Sequence, residues 1–322
     1  MSENEEAIKQ SLQPGKVIEV NHLTQDFGMG MGIFDMLFDV YKGECFGFLG
    51  PNGAGKTTTI RHIMGFYKPQ EGECRVNGYE SFSSYHELLK DVGYLPGEPA
   101  LPKYFTGQEF IDEMMALKGV KDRSTLDYLL DYFEVDPFLK CKQMSLGMKR
   151  KIAVTVAFLS DPSVLVLDEP TSGLDPAMQD KFIKFVISEK KRGKTILLSS
   201  HIFSEVDQTC DRIAIIKDGK LVSTFDADSL KHKSQKTFYI VFSDPESYER
   251  CVSSPDEKIS VFDKEENSLK VGIAVDDCDV NVLISSLKDG NVASFTQKPE
   301  TLKDYFMSFY HEDNEYDGLS NG

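Results

Sequence analysis

Two short stretches carry residues that could do chemistry together. Residues 168–176 read DEPTSGLDP, and residues 50–58 read GPNGAGKTT. The first stretch sets two carboxylates, Asp168 and Glu169, side by side. Adjacent like charges repel, so the pair implies two separate partners. The second stretch fits G-x-x-x-x-G-K-[ST] between the apolar run CFGFL and the helical TTIRHIMGF. Such a loop crowds backbone N–H groups around phosphate oxygens, and Gly53 and Gly55 leave that approach open. The N–H groups at the start of the next helix add to the attraction. Lys56 offers a point charge for the β- and γ-phosphates, and the Thr57 hydroxyl is a ligand for Mg²⁺. A phosphate loop alone specifies a nucleotide and not a reaction. No NKxD-type guanine reader is present, which favours ATP over GTP.

Asp168 ends the run SVLVLD. The carboxyl end of a parallel strand is where open α/β sheets bind ligands. This position assigns Asp168 to the Mg²⁺ shell through a bound water. Glu169 is then left to hold the attacking water as general base. The rival reading of the pair is an acidic helix start facing solvent, which the buried strand before it disfavours.

These groups need a frame, and the sequence predicts one. CFGFL (45–49), SVLVLD (163–168) and TILLSS (195–200) are near-continuous apolar runs of strand length. Runs of this kind suit a parallel sheet covered on both faces. Amphipathic segments such as PAMQDKFIKFVISEKK (176–191) lie between them, giving an α/β fold. RIAIIKDGKLVSTF (212–225) reads as a hairpin with Asp218-Gly219 at its turn. From about residue 236 the order of patterns becomes β-α-β-β-α-β, the ferredoxin-like pattern of a small α+β module, with a closing helix at 301–311. The alternative there is an irregular extension on the main domain. The ends, 1–14 and 312–322, are polar and read as disordered.

Bulk properties narrow the function. The 322 residues carry a net charge of −16, which argues against a nucleic-acid grip. The six cysteines are scattered without metal-ligand spacing, as in a reducing compartment. The N-terminus lacks a basic start and an apolar core, and no apolar stretch approaches the ~18 residues that cross a bilayer. A cytoplasmic chain is expected, with any membrane role supplied by a partner.

GPNGAGKTT, MSLGMKRK (144–151), LDEPTSGLDP (167–176) and SSH (199–201) follow one another as in ATP-binding cassette (ABC) transporter ATPases. The chain resembles that family over roughly residues 17–230, and most resembles the ABC-2, exporter-like type with a C-terminal extension. The resemblance implies a P-loop cassette at 17–232, comprising a mostly parallel core, an antiparallel β subdomain and a helical subdomain at about 98–160. It makes 236–311 an accessory module. Gly50, Pro51, Asn52, Gly53, Ala54, Gly55, Lys56, Thr57 and Thr58 become the Walker A phosphate cradle. Thr57 and Asp168 become the metal site, and Glu169 and His201 the catalytic pair, with the choice of base between them open.

Phe27 becomes the aromatic that stacks on adenine, against a rival reading as a core phenylalanine. Ser145, Leu146 and Gly147 become the signature that meets ATP on the other subunit, with Leu146 and Met148 replacing the usual glycine and glutamine. Ser145 is also a good helix cap in its own right. Asp175 becomes the D-loop contact across the seam. Gly97 falls where the family carries the Q-loop glutamine, and Glu98 is the nearest side chain that could substitute.

The implied protein is an ATP-hydrolysing subunit using ATP and Mg²⁺. It would work as a homodimer or heterodimer of such subunits with a multi-span membrane permease, peripheral on the inner membrane face. A soluble ABC ATPase in a non-transport assembly, a P-loop kinase and a binding-only module are the competing readings.

Overall fold

The computed structural model describes residues 15–231, 235–253, 255–288, 290–298, 302 and 305–307. The polar ends and most of the expected closing helix lie outside the described residues. The chain divides into two compact units, Met1–Phe225 and Asp226–Gly322.

Strands are numbered in chain order. β1 (Lys16–Gly28), β2 (Met31–Tyr41), β4 (Glu71–Val76) and β5 (Tyr79–Glu80) form an antiparallel sheet in the order β2-β1-β4-β5. β3 (Cys45–Leu49) leaves that run of the chain to join a second sheet with β6 (Val92–Leu95), β7 (Val164–Asp168) and β8 (Thr195–Ser200). β9 (Arg212–Lys217) and β10 (Lys220–Asp226) complete it, in the order β10-β9-β3-β8-β7-β6. The pairs from β9 to β6 are parallel. Every residue of β3, β7 and β8 is buried, which is why their sequences are apolar without alternation. Between β9 and β10, Asp218 (φ 47°) and Gly219 (φ 74°) are both left-handed, the geometry of the Asp-Gly hairpin turn.

One apolar cluster joins the two sheets. It takes Val20, Ile33 and Val76 from the antiparallel sheet and Val164, Val166 and Ala214 from the parallel one. Ile60 and Ile63, on the helix Lys56–Ile63, belong to the same cluster. Phe38 stacks on Phe46 at 5.4 Å and 3° between ring planes, and lies 5.3 Å from Phe48. The helix that follows the glycine loop is therefore anchored by packing against both sheets.

The helices Gly107–Leu117, Ser124–Tyr132 and Leu146–Phe158 gather around a separate core of Ile111, Met115, Leu126, Met144, Ile152 and Val156. The first of them begins with a capping box. Thr106 accepts from Glu109 N–H, and the Glu109 carboxylate accepts from Thr106 N–H.

The second unit contains β11 (Gln235–Phe242), β12 (Ile259–Glu265), β13 (Lys270–Asp276) and β14 (Val292–Lys298) in the antiparallel order β12-β13-β11-β14. The helices Pro245–Ser253 and Val280–Ser286 complete the β-α-β-β-α-β order anticipated from the sequence. The turn between β12 and β13 falls at Glu266–Ser268. Phe238, Ile240, Val271, Ile273 and Leu283 give the unit its own core.

Phe38→Ala should lower stability by about 3–5 kcal/mol, because both sheets close on that ring. Urea unfolding followed by circular dichroism measures it, and a loss below about 1 kcal/mol would refute the packing assigned here.

Candidate active site

The glycine loop joins β3 to the helix Lys56–Ile63. Gly53 (φ 85°) and Gly55 (φ 105°) take left-handed backbone that side-chain-bearing residues resist. A Cβ on Gly55 would stand 2.6 Å from Ile33 Cγ2, while around Gly53 the space is open. This shape keeps main-chain N–H groups within reach of a ligand. Lys56 then extends back over the loop. Its Nζ donates to Gly50 O at 2.6 Å and Pro51 O at 3.1 Å, and pairs with Glu169 Oε1 at 3.0 Å. Only 5% of the lysine is exposed, so these oxygens replace its hydration.

Asp168 is fully buried at the end of β7. Thr57 Oγ1 donates to its Oδ2 at 2.8 Å, and Ser199 Oγ donates to its Oδ1 at 2.5 Å. Glu169 has φ 47°, a left-handed conformation rare for glutamate. Such strain costs on the order of 1–3 kcal/mol and persists where the surroundings dictate it. Here Glu169 N–H donates to Ser199 O at 3.0 Å, which fixes the turn. Past this turn the Glu169 side chain meets different partners from those of Asp168. Oε1 reaches Lys56, and Oε2 lies 2.6 Å from His201 Nδ1. The two neighbouring carboxylates thus serve different partners.

An open cleft of about 470 Å³ lies over this loop. Pro51, Asn52, Gly53, Gly55, Lys56, Thr57, Thr58 and Glu169 line it, with Phe27, Met31 and Asp218. Phe27 is 59% exposed, so it is no core residue. Gly50, Asp168 and His201 do not line it but meet lining residues through the contacts above; Ala54 O accepts from Gly219 N–H of the lining.

Ser145, Leu146, Gly147 and Asp175 do not line the cleft. Ser145 Oγ accepts from Met148 N–H at 3.2 Å and caps the helix Leu146–Phe158. Asp175 Oδ1 accepts from Met178 N–H at 3.1 Å and caps the helix Pro176–Lys191. The two helix starts meet, for a Cβ on Gly173 would lie 2.9 Å from Leu146 Cγ. At Gly97 a Cβ would come within 3.1 Å of Asp168 Oδ2, so the absence of a side chain there leaves the metal-type carboxylate room. Glu98 is exposed and does not line the cleft.

Sequence reasoning missed Arg150. It is 1% exposed and donates only to main chain: Nε to Ser172 O at 3.0 Å, Nη1 to Pro96 O at 2.7 Å, and Nη2 to Gly97 O. Burial lowers its pKa, against the raising influence of Asp168, Glu169, Glu205 and Glu98. Within MSLGMKRK it is one of three basic residues, and nothing local marks it as buried. Met31 and Asp218 were also missed as cleft residues. The Asp-Gly turn was legible, but its proximity to the loop depends on Gly219 N–H donating to Ala54 O at 3.1 Å.

The residues fit a magnesium nucleotide. The left-handed glycine cradle and the nearly dry ammonium suit a polyphosphate, and the adjacent Thr57 hydroxyl and Asp168 carboxylate are the hard oxygen donors that Mg²⁺ takes. Fold and site together define a P-loop nucleotide-hydrolysing protein.

Comparison with known proteins narrows that class. Residues 33–172 match the family model described as ABC transporter. An uncharacterised ABC transporter ATP-binding protein of Bacillus subtilis, YhcH, is 30% identical over 311 residues, covering 93% of this chain and 97% of its own. The Nod factor export ATP-binding protein I of Paraburkholderia xenovorans is 33% identical over 215 residues, 65% of this chain and 71% of its own. A solved ATP-binding subunit of an ABC transporter superposes with a TM-score of 0.61 at 29% identity, covering 67% of this chain and 92% of that one. The chain belongs to the ATP-binding proteins of ABC transporters, and it is an ATPase using ATP with Mg²⁺. Among the described residues, no helix is long and apolar enough to cross a membrane.

Arg150→Lys keeps the charge but cannot bridge three carbonyls. Stability should fall by about 1.5–3 kcal/mol, read as an earlier denaturation midpoint, and an unchanged midpoint would contradict the role.

Proposed function

We propose that this ATPase powers export through a separate multi-span membrane subunit, and that ATP is hydrolysed between two ATPase subunits, identical or related. The observation that carries the hydrolytic reading is Glu169, turned by its left-handed backbone to lie between Lys56 and His201.

Each residue then has a task. The Gly50–Thr58 loop wraps the phosphates, and Lys56 exchanges its contact with Glu169 for phosphate oxygens. Glu169, released from Lys56 but still beside His201, orients the attacking water and takes its proton. Thr57 and Asp168 would hold Mg²⁺, whose contribution is to neutralise charge on the phosphate oxygens. Phe27 stacks on the adenine, a contact of on the order of 1–3 kcal/mol.

Ser145, Leu146, Gly147 and Asp175 are outside the cleft of their own chain, which supports a second subunit offering its signature helix start to the γ-phosphate. Closure on ATP and reopening after hydrolysis would pass motion to the membrane partner near Gly97 and the helical subdomain. In this reading the cassette spans residues 17–232, and 236–311 is an accessory module that braces the pair or regulates it. The chain sits on the inner face of the membrane through its permease. Support for export comes from the relative named for Nod factor export.

Lys56→Ala should weaken ATP binding at least about tenfold by calorimetry, because the cleft loses its one nearly dry cation. Glu169→Gln should retain ATP while phosphate release falls by about 10²–10⁴. Normal turnover in that variant would remove Glu169 from the chemistry. Pull-down of the full chain from its native membranes should yield a multi-span protein, and recovery of soluble partners alone would overturn the transport reading.

A further inference from the structure

Near the catalytic pair lies a third carboxylate, beyond Asp168 and Glu169, that the proposed mechanism does not use. Glu205, on the helix Phe203–Thr209, is 1% exposed. Its Oε2 accepts from Ser200 Oγ at 2.5 Å, and Thr171 stands near enough to favour the ionised carboxylate. Ser200 immediately precedes His201, and Thr171 lies two residues after Glu169. Ser200 Oγ in turn accepts from Ile202 N–H at 2.9 Å, which holds the chain on both sides of His201. Oε1 has no hydrogen-bond partner of good geometry among the described residues. Leaving a buried carboxylate oxygen unpaired destabilises a fold, so stability does not explain its presence.

We propose that Glu205 is a positioning residue: by holding Ser200 from behind, it fixes the strand end that carries His201 and so sets the Glu169–His201 contact. This rests on the proposed roles of Glu169 and His201 and adds what fixes their geometry. An ionised carboxylate accepts the Ser200 hydroxyl more strongly than a neutral one does. Burial raises the Glu205 pKa to about 7; the negative Glu169 adds to this, while Ser200, Thr171 and the positive Arg150 oppose it. On its own helix Asp207 is the other acid, and His201 is the remaining titratable group at the strand end. The catalytic arrangement should therefore tighten as pH rises through about 7.

The sign for stability is opposite. A carboxyl whose folded pKa is raised contributes stability below its unfolded value, and that contribution is lost as pH rises through the folded one.

The test compares Glu205→Gln with the wild-type chain and with Glu169→Gln across pH 6–8. Positioning predicts that Glu205→Gln loses kcat on the order of tenfold to a hundredfold with KM for ATP nearly unchanged, since small misplacements act on turnover. It also predicts a flatter kcat profile near pH 7 and a Tm that gains on wild type as pH rises. Wild-type kcat and pH profile in Glu205→Gln, with Glu169→Gln inactive, would overturn the inference alone. Normal turnover in Glu169→Gln would instead overturn the catalytic reading beneath it. If Glu205→Gln does not fold, Ser200→Ala removes the same contact from the other side. Loss of kcat at constant KM there sustains the proposal, and unchanged kcat refutes it.

Discussion

Lys56 carries a positive charge to a place where almost none of its surface meets water. A buried ammonium persists only if oxygens surround it, and the rest of the site is arranged to supply them. Two come from main-chain carbonyls of the loop and one from Glu169. That demand explains the left-handed glycines, which bend the loop around the ammonium. It also explains the strained turn at Glu169, which delivers a carboxylate from the end of β7. A polyphosphate offers more oxygens than the protein does, so in the proposed reaction ATP would answer the same electrostatic demand and free Glu169.

Around this ammonium the parts are bound through main chain as much as through side chains. Arg150 ties the signature helix to carbonyls near Gly97 and at Ser172. Glu205 holds Ser200, at the strand end before His201. The loops around the cleft are thus held by one buried cation and one buried acid, both costly to desolvate.

Much of this was legible in the sequence. The strands CFGFL, SVLVLD and TILLSS were readable because two covered faces leave no polar alternation, and the phosphate loop because its glycines have one physical use. Thr57 and Asp168 were legible as one metal site from the phosphate-loop pattern and the strand end, whereas grouping His201 with Glu169 rested on the resemblance to ABC ATPases. Arg150 and Glu205 were invisible because charged residues in helical segments read as solvated, and only the three-dimensional arrangement brings the loops at Pro96, Gly97 and Ser172 against the first and the strand end at Ser200 against the second. Asp218 and Met31 escaped for a related reason: a turn's residue types are local, but what the turn leans on is not. Gly97 was noticed as a departure, yet its closeness to Asp168 lies beyond any one-dimensional pattern.

That closeness limits what position 97 can hold. With the main chain at Gly97 pressed toward the Asp168 carboxylate, any side chain placed there would push on a group that Thr57 and Ser199 hold fast. Either that carboxylate or the loop would have to give, and the guanidinium gripping the loop's carbonyls opposes the second course. The bare position works as a clearance gap between two braced parts.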